Sequence, residues 1–300
     1  MCGNSLEFNK PVISGKTAVY ALIGDPVDHT MSPAIQNAAF HSLGIDAVYA
    51  AFQVSPRRLK AGIGGLRALG VKGFNITLPH KMKVLRYLDE IESSASAIGS
   101  VNTVVNTEGK LRGYNTDGTG AVDALVNAGA APKGKAVLMF GAGGAGRAIA
   151  YALAQQASSL NVINRSATKA KDLVTWLRRK FSIDVTYATV SSKLLPALVK
   201  KADIVVNASS MGMHGVTDPP VEAAWLRPNQ WVFDIVYKPL QTRLLEIADK
   251  AGAKRVNGLD MLLNQGACSF ELWTGKKAPI FEMRKAMTQN LSVVEHARSS

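Results

Sequence analysis

A glycine-rich turn between an apolar strand and a helix constrains the fold of this chain more than any other feature. The segment "KAVLMF" at 135–140 has the pattern of a buried strand, and "GAGGAGRAIAYALAQQ" follows it as a turn that becomes a helix. Gly141, Gly143 and Gly146 have the G-x-G-x-x-G spacing. In this context the spacing is typical of a dinucleotide-binding βαβ unit, whose glycines allow a tight turn, the approach of a pyrophosphate and close helix packing. The alternative, a flexible loop without a ligand, is less favoured.

Strand and helix patterns alternate along almost the whole chain. Apolar runs typical of strands lie at 18–24, 47–54, 71–77, 135–140, 160–165, 202–209 and 230–237, with a hairpin pattern at 107–115. Helical patterns separate most of these runs. In the helix predicted over 32–44, Ser32 is expected as the N-cap and Gly44 as the stop. Such alternation predicts an α/β protein with parallel sheets and right-handed crossovers.

The composition is that of an ordinary globular protein long enough for two domains. The 300 residues are 47% hydrophobic and 19% charged, and no apolar run approaches the ~20 residues of a membrane span. Residues 1–10 lack the charged and apolar pattern of a signal peptide. Cys2 and Cys268 lie far apart and show no metal-ligand spacing. We therefore expect a cytoplasmic protein without a disulfide framework and without a metal site.

The net charge of +13 and the pI of about 9.8 raise the question of an anionic partner. The basic residues are dispersed in short groups, such as "RRLK" at 57–60 and "RRK" at 178–180, without interleaved aromatic residues or a nucleic-acid-binding motif. Nucleic-acid binding is therefore disfavoured. A solvated basic surface and the electrostatic steering of anionic substrates and cofactors toward a cleft both stay open.

The strand after the glycine-rich turn bears on the choice of dinucleotide. NAD sites usually place an Asp or Glu about 20 residues after the glycines, where it binds the ribose 2′-hydroxyl. This chain has Asn164, Arg165 and Ser166 there, and Lys169 follows closely. An arginine can pair with a 2′-phosphate and a hydroxyl can assist, whereas the alternative is a surface arginine without a ligand. The sequence therefore favours NADP over NAD.

Polar residues gather at the ends of apolar runs in the N-terminal part of the chain. Thr30 and Ser32 precede a helix, where two hydroxyls and a helix N-terminus suit a carboxylate, although capping alone would explain Ser32. The other clusters are Asn75 with Thr77, Asn102 with Thr103, and Asn115 with Thr116 and Asp117. One residue of this kind is usually a cap or a turn residue. Four clusters in one domain predict a polar pocket for a polyhydroxylated ligand.

A set of longer motifs resembles those of a known family. The segments "GDPVDHTMSP", "GFNITLPHK", "GSVNTV", "GYNTDGTG", "GAGGAGRA", "NASSMGM" and "NGLDMLLNQGACSFELWTG" occur in this order along nearly the whole chain. With them the chain resembles the shikimate dehydrogenase family, which includes quinate/shikimate dehydrogenases. The resemblance implies an N-terminal α/β substrate domain of residues 1–117 and 257–300, a Rossmann-type NADP-binding domain of residues 118–256, and an active site in the cleft between them.

The resemblance also implies a role for each matching residue. Lys81 and Asp117 match the catalytic pair, although most lysines are simply solvated, and His80 is expected to be structural or outward-facing. The implied substrate-binding residues are Thr30, Ser32, Asn75, Thr77, Asn102, Asp117, Tyr237 and Gln265. The implied cofactor-binding residues are Gly141, Ala142, Gly143, Gly144, Ala145, Asn164, Arg165, Ser166, Lys169, Ile235, Gly258 and Met261.

The activity that the resemblance implies is the reversible reduction of 3-dehydroshikimate to shikimate by NADPH, a step of chorismate and aromatic amino acid biosynthesis. Thr30 departs from the family's usual serine, and its added methyl leaves open a quinate or dual quinate/shikimate dehydrogenase that uses NAD. A cofactor-sensing or nucleic-acid-binding protein is disfavoured because Lys81 and Asp117 are both retained. A folate-type dehydrogenase is disfavoured because "NITLPHK" and "NTDG" occur together. A homodimer stays open.

Overall fold

The structure is a computed structural model that describes residues 13–28, 30–213 and 216–299, with side chains as far as residue 291. Two six-stranded sheets form its framework. Residues 1–12 lie outside the described residues, and with them Cys2 and the segment that bears on a signal peptide. Among the described residues, no helix is long and apolar enough to cross a membrane.

The first sheet mixes parallel and antiparallel strands. Its strands are β1 (Ala18–Gly24), β2 (Ala47–Gln53), β3 (Gly73–Ile76), β4 (Glu90–Ile91), β5 (Thr103–Thr107) and β6 (Lys110–Tyr114). In the order β2-β1-β3-β5-β6-β4, β1 pairs in parallel with β2 and β3, and β5 runs antiparallel to β3 and β6. The three predicted strands and the predicted hairpin are confirmed, and the two-residue strand β4 is an addition to them.

The helices of this part of the chain are α1 (Ser32–Ser42), α2 (Leu59–Ala68), α3 (Ser93–Ile98) and α4 (Asp117–Asn127). The prediction that Ser32 caps α1 is wrong. Met31 is the N-cap residue, Ser32 is already helical, and no side chain caps this helix. The end of α1 is as predicted, because Gly44 has a φ of +61° that favours glycine and stops the helix.

The second sheet is entirely parallel, as the alternation of elements predicts. Its strands are β7 (Ala136–Phe140), β8 (Ser159–Asn164), β9 (Asp184–Thr189), β10 (Ile204–Asn207), β11 (Trp231–Asp234) and β12 (Lys254–Val256), and its helices are α5 (Gly144–Ala154), α6 (Ala167–Arg178), α7 (Leu195–Lys201) and α8 (Arg243–Lys250). The order β12-β11-β10-β7-β8-β9 reverses between β7 and β10. Ligands of such sheets bind at this switch point, outside the carboxyl ends of the strands.

The last two helices, α9 (Gly258–Thr274) and α10 (Ile280–Ser299), return to the first sheet. Phe270 of α9 and Met283 of α10 are fully buried in the same apolar core as Tyr20 of β1 and Phe40 of α1. The C-terminal helices therefore belong to the core of the N-terminal sheet. The domain boundaries at residues 117 and 257 stay a prediction.

Helix α4 joins the two halves of the molecule through two glycines. A Cβ atom on Gly118 would lie 2.7 Å from the carbonyl oxygen of Ala148 in α5. A Cβ atom on Gly120 would lie 2.8 Å from the backbone nitrogen of Gln265 in α9. Both distances are shorter than carbon atoms tolerate, so glycine alone permits these two contacts between helix backbones.

A substitution of Gly120 tests this close packing. We expect Gly120→Ala to lower the free energy of unfolding by roughly 1–3 kcal/mol, because the added methyl meets the backbone of α9. The matched control is Gly64→Ala in α2, where a Cβ atom meets nothing within 4 Å. That change replaces an exposed helical glycine and should stabilise the protein by about 0.5–1 kcal/mol. Urea unfolding measures both, and equal effects of the two variants would contradict the packing argument.

Candidate active site

A cleft of about 580 Å³ lies between the two sheets, lined by residues that follow β3, β7, β8, β10 and β11. Every predicted site residue lines it: Thr30, Ser32, Asn75, Thr77, Lys81, Asn102, Asp117, Gly141, Ala142, Gly143, Gly144, Ala145, Asn164, Arg165, Ser166, Lys169, Ile235, Tyr237, Gly258, Met261 and Gln265. The fold thus brings together residues that lie far apart in the sequence. The role of each of these residues stays a prediction.

Lys81 and Asp117 form an ion pair at the centre of the cleft. The Lys81 Nζ atom lies 2.7 Å from Asp117 Oδ2, and their side chains are 17% and 3% exposed. The backbone around Lys81 is fixed by the Val101 N–H, which donates to the Lys81 carbonyl oxygen at 2.8 Å. Asp117 is the first residue of α4, where the positive end of the helix dipole favours a carboxylate. The lysine is therefore held with its ammonium group at the cleft.

Asn102 connects this pair to α9. Its Nδ2 atom donates to Asp117 Oδ1 at 3.0 Å and to the side-chain oxygen of Gln265 at 3.3 Å. Its Oδ1 atom accepts the backbone N–H of Thr116 at 2.8 Å, which fixes the orientation of the amide. The remaining amide of Gln265 donates to the Leu262 carbonyl oxygen at 2.8 Å. Both oxygens of Asp117 are thus engaged, one by the lysine and one by Asn102.

The Asn75 side chain is buried, and neighbouring protein groups occupy both of its polar atoms. Its Oδ1 atom accepts the Tyr49 hydroxyl at 2.7 Å, and its Nδ2 atom lies 3.1 Å from both the Thr103 and the Ser269 hydroxyls. Burial raises the pKa of Tyr49 well above its usual value, and a hydrogen bond to Ser32 opposes that shift. Tyr49 is therefore a neutral donor that orients Asn75. It is a supporting residue that the sequence reasoning missed.

The hydroxyls of Thr30 and Ser32 lie side by side at the other end of the cleft. Thr30 Oγ1 lies 3.2 Å from Ser32 Oγ, and the Ser32 backbone N–H donates to Thr30 Oγ1 at 3.3 Å. Burial raises the pKa of Tyr237, and a hydrogen bond to Thr30 opposes that shift. The phenol of Tyr237 is thus protonated at neutral pH. Three hydroxyl groups near a helix N-terminus can donate to a carboxylate.

The three glycines of the turn after β7 have three distinct environments. Gly141 has a φ of +109°, and a Cβ atom on it would lie 2.6 Å from the Ala208 carbonyl oxygen. A Cβ atom on Gly146 would lie 2.7 Å from the Gly141 carbonyl oxygen. Gly143 differs, since a Cβ atom there meets nothing within 4 Å. The turn therefore leaves an open space at Gly143, at the N-terminus of α5, which fits a pyrophosphate.

The same turn lies directly against the ion pair. A Cβ atom on Gly144 would lie 2.9 Å from Cβ of Lys81 and 3.1 Å from the Ser100 hydroxyl oxygen. The first residue of α5 is thus within van der Waals reach of the Lys81 side chain. The turn that fits a pyrophosphate and the Lys81–Asp117 ion pair are therefore adjacent.

Two unpaired cations lie at the far end of the cofactor cleft, where β8 ends. Ser166 caps α6 by accepting the Lys169 backbone N–H at 3.3 Å, and Asn164 Nδ2 donates to the Ser166 carbonyl oxygen at 3.0 Å. Among the described residues, the side chains of Arg165 and Lys169 make no hydrogen bond or ion pair and are exposed. Free cations at a helix N-terminus suit a phosphate, so the residues present fit the 2′-phosphate of NADP.

The charge of the cleft is strongly one-sided. Its cationic lining residues are Lys81, Arg165, Lys169 and Lys238, and its carboxylate is that of Asp117. Since these cations line a concave site, they attract anionic ligands more strongly than a dispersed surface charge would. The geometry thus supports the steering interpretation of the basic composition.

Sequence reasoning left the loop after β10 without a role. Ser209, Ser210, Met211 and Met213 line the cleft, on the side of the second sheet. The signal was present, since "NASS" places polar residues directly after an apolar strand, as in the first domain. Gly258 lies against the residue that follows β11, because a Cβ atom there would overlap the Ile235 carbonyl oxygen.

The sequence predicts that His80 is either structural or outward-facing. The structure shows a structural role, and the side chain does not face outward. Its side chain is fully buried, and its Nε2 atom lies 2.6 Å from the Val54 carbonyl oxygen. This bond fixes the turn between β3 and Lys81. Among the described residues, no group of three or more His, Cys, Asp or Glu side chains could hold a metal ion.

The parallel sheet with its glycine turn at the switch point defines a dinucleotide-binding α/β protein, and the polar cleft beside it adds an ion pair suited to proton transfer. Sequence profiles match three segments: a shikimate dehydrogenase substrate-binding domain at 22–104, a shikimate/quinate 5-dehydrogenase domain at 125–238, and a shikimate 5′-dehydrogenase C-terminal domain at 258–288.

Whole-chain comparisons agree with these profiles. A shikimate dehydrogenase (NADP(+)) of Thermococcus kodakarensis is 46% identical over 277 residues, which cover 92% of this chain and 98% of that protein. A crystal structure of a shikimate dehydrogenase in complex with NADP+ has a TM-score of 0.86 at 41% identity and covers 93% and 97% of the two chains. The quinate dehydrogenase of Corynebacterium glutamicum, in complex with NAD, has a TM-score of 0.83 at 31% identity, covering 91% and 99%. The chain belongs to the shikimate dehydrogenase family.

The open space at Gly143 gives a test of the cofactor site. We expect Gly143→Ala to leave the unfolding temperature unchanged, since the new methyl meets no protein atom within 4 Å. The affinity for NADPH should fall at least about tenfold, because the methyl occupies the space of the pyrophosphate. Titration by NADPH fluorescence measures this, with Gly64→Ala as the control. Unchanged affinity in Gly143→Ala would place the pyrophosphate elsewhere.

Proposed function

We propose that this chain catalyses the reversible, NADP-dependent reduction of 3-dehydroshikimate to shikimate. The observation that carries the proposal is the Lys81–Asp117 ion pair of 2.7 Å, which lies against the turn that fits a pyrophosphate. Membership of the shikimate dehydrogenase family supports it. The reaction belongs to the biosynthesis of chorismate and the aromatic amino acids.

Lys81 is suited to the proton-transfer half of the reaction. Bound NADPH supplies the hydride. Reduction of a ketone builds negative charge on its oxygen, and an ammonium group both stabilises that charge and donates a proton to it. In the reverse direction the neutral amine of Lys81 accepts the proton of the substrate hydroxyl. Since Lys81 is only 17% exposed, bulk water competes little for its ammonium group.

Asp117 and Asn102 fix the position of the Lys81 ammonium group and are placed to bind a hydroxyl group of the substrate. Asp117 Oδ2 accepts from Lys81, and its Oδ1 atom accepts from Asn102 at 3.0 Å. The remaining lone pairs of the carboxylate can accept a ring hydroxyl of the substrate. Gln265, which accepts from Asn102, adds an amide beside the same hydroxyls. This arrangement favours a substrate with neighbouring hydroxyl groups.

The substrate carboxylate is assigned to the hydroxyls of Thr30, Ser32 and Tyr237. Such a site binds the anion by hydrogen bonds and leaves the cations of the cleft for the rest of the ligands. The methyl group of Thr30 lies beside the place assigned to the carboxylate. The ring of quinate carries an additional hydroxyl at the same carbon, so Thr30 bears on the choice between shikimate and quinate, which stays open. A pocket difference of this kind shifts discrimination by about 1–3 kcal/mol.

A quinate dehydrogenase that uses NAD is the second candidate, and the fold is compatible with it. Arg165 and Lys169 at the end of β8, which have no partner in the part of the chain that the structure describes, favour NADP over NAD. An acidic residue that would bind the ribose 2′-hydroxyl of NAD is absent from "NRSATK". We expect a protein of the cytoplasm that acts on small molecules and does not bind nucleic acid, and light scattering would establish whether it forms a homodimer.

Initial rates of cofactor reduction test the proposed function and the role of Lys81. Wild type should reduce NADP+ with shikimate much faster than with quinate, and faster than it reduces NAD+. In Lys81→Ala, kcat should fall by about 10²–10⁴-fold, as for loss of a general acid–base group, while NADPH affinity is kept. Lys83→Ala is the control, since that lysine is exposed in the same turn. Higher rates with quinate and NAD+ would move the function to the second candidate.

A separate experiment tests the choice of cofactor. Arg165→Gln should raise KM for NADP+ by about 10–100-fold, since a hydrogen bond to a charged group contributes roughly 1.5–3 kcal/mol. KM for NAD+ should stay the same, because NAD+ carries no 2′-phosphate. Arg179→Gln, at an exposed arginine after α6, is the matched control. An equal rise in both KM values would show that Arg165 does not read the phosphate.

A further inference from the structure

Two neighbouring loops form the wall of the cleft on the side of the second sheet. The first follows β10 and contributes Ser209 and Met211, and the second follows β11 and contributes Ile235 and Tyr237. Neither loop is part of a helix or a strand, and side-chain hydrogen bonds add to the few backbone bonds that hold them. These bonds converge on one buried carboxylate.

Asp234 is the last residue of β11 and is 0% exposed. Its Oδ1 atom accepts the Asn207 side-chain amide at 2.9 Å and the Val236 backbone N–H at 3.0 Å. Its Oδ2 atom accepts the Thr242 hydroxyl at 2.7 Å. The bond to Val236 fixes the first turn of the loop that carries Tyr237. The bond to Thr242 connects that loop to the start of α8.

Asn207 extends the same network into the other loop. It is 0% exposed, and its Nδ2 atom donates to the Met211 carbonyl oxygen at 2.7 Å in addition to Asp234. Its Oδ1 atom accepts the Ser209 hydroxyl at 2.7 Å and the Ser209 backbone N–H at 3.2 Å. Asp234 and Asn207 therefore hold both loops through one continuous set of bonds.

We propose that Asp234 is a positioning residue for catalysis, whose carboxylate sets the place of the two loops that carry Met211 and Tyr237. It acts through these loops and does not line the cleft itself. The inference rests on the proposed function, in which Tyr237 binds the substrate and the loops face the cofactor. The network is complete in the ionised form of Asp234, whose carboxylate accepts from all three donors. A proton on Oδ1 would displace Asn207 or Val236, and a proton on Oδ2 would turn the Thr242 hydroxyl from donor to acceptor and weaken the bonds that the other oxygen accepts.

The environment of Asp234 brings the pKa of its carboxyl group close to physiological pH. Burial raises the pKa of Asp234 to about 6, against the hydrogen bonds from Thr242, Val236 and Asn207, and with a further rise from the nearby Asp218. Asp218, in the segment between β10 and β11, is the charged side chain that faces Asp234 across Gly212. The charged residues of the first turn of α8, Arg243 and Glu246, pair with each other at 3.0 Å and are about half exposed.

The sign of the effect differs for stability and for activity. Because the pKa of Asp234 is raised above that of an unfolded aspartate, the folded state favours the protonated form, and the protein loses stability as pH rises from about 4 to about 6. The hydrogen bonds that hold the loops are strongest to the ionised form, so kcat/KM should fall as pH drops below about 6. Acidification should thus stabilise the fold at this residue while it lowers activity.

The experiment compares pH profiles of kcat/KM and of NADPH affinity for wild type, Asp234→Asn, Thr242→Val and Thr242→Ser. Asp234→Asn keeps the acceptor oxygen for Asn207 and Val236, and should remove the acid limb near pH 6. Thr242→Val removes a donor to the carboxylate and should move that limb to higher pH. Thr242→Ser keeps the hydroxyl and should leave the acid limb at the pH where wild type has it.

The unfolding temperature against pH gives a readout independent of turnover. The fall in stability between about pH 4 and 6 should be present in wild type and weaker in Asp234→Asn. An acid limb that is unchanged in both Asp234→Asn and Thr242→Val would overturn the proposal. If neither wild type nor any of the variants oxidises shikimate, the proposed function fails instead. In that case the pH profile of NADPH affinity still decides the role of Asp234.

Discussion

The ion pair of Lys81 and Asp117 depends on where α4 begins and on how closely that helix packs. Asp117 is its first residue, and the following glycines at 118 and 120 let its backbone touch α5 on one side and α9 on the other. Gly144, at the start of α5, lies against the lysine itself. The carboxylate, the ammonium group and the turn that fits a pyrophosphate are therefore fixed relative to one another by backbone contacts. The Asn102 side chain then holds the carboxylate, so a site of this kind is preorganised before any ligand binds.

The cleft has two regions, which differ in burial and in the hydrogen bonds of their side chains. At its centre, Asn102, Asp117 and Asn75 have their polar atoms engaged by neighbouring protein groups, so these side chains are rigid and their remaining lone pairs point in defined directions. At its rim, Arg165 and Lys169 have no partner among the described residues. A buried, satisfied network suits the discrimination of hydroxyl groups, because any mismatch leaves a polar group unpaired. Exposed cations suit the capture of a phosphate that arrives from solvent.

Much of the site could be predicted from the sequence because parallel strands end at a common edge, so polar residues after separate apolar runs meet in one cleft. What failed depends on tertiary contacts. The edge strands β9 and β12 each have one buried residue, and β12 is only three residues long, so their apolar pattern is weak. Ser32 has the residue type of a cap but lies one position inside α1. Asp234 resembles any aspartate at a strand end, since the donors that define it come from Asn207 and Thr242, 27 and 8 residues away.

The exposed position of Arg165 and Lys169 has a consequence for how such a protein tolerates substitutions. Substitutions at these two residues disturb no core packing and no hydrogen bond of the catalytic centre, since the turn there is held by Ser166 and Asn164 through the backbone. The charge at this end of the cleft can therefore change without a loss of stability, whereas a side chain on Gly118 or Gly120 would meet the backbone of a neighbouring helix. Members of one family can in this way divide between two cofactors on an unchanged scaffold.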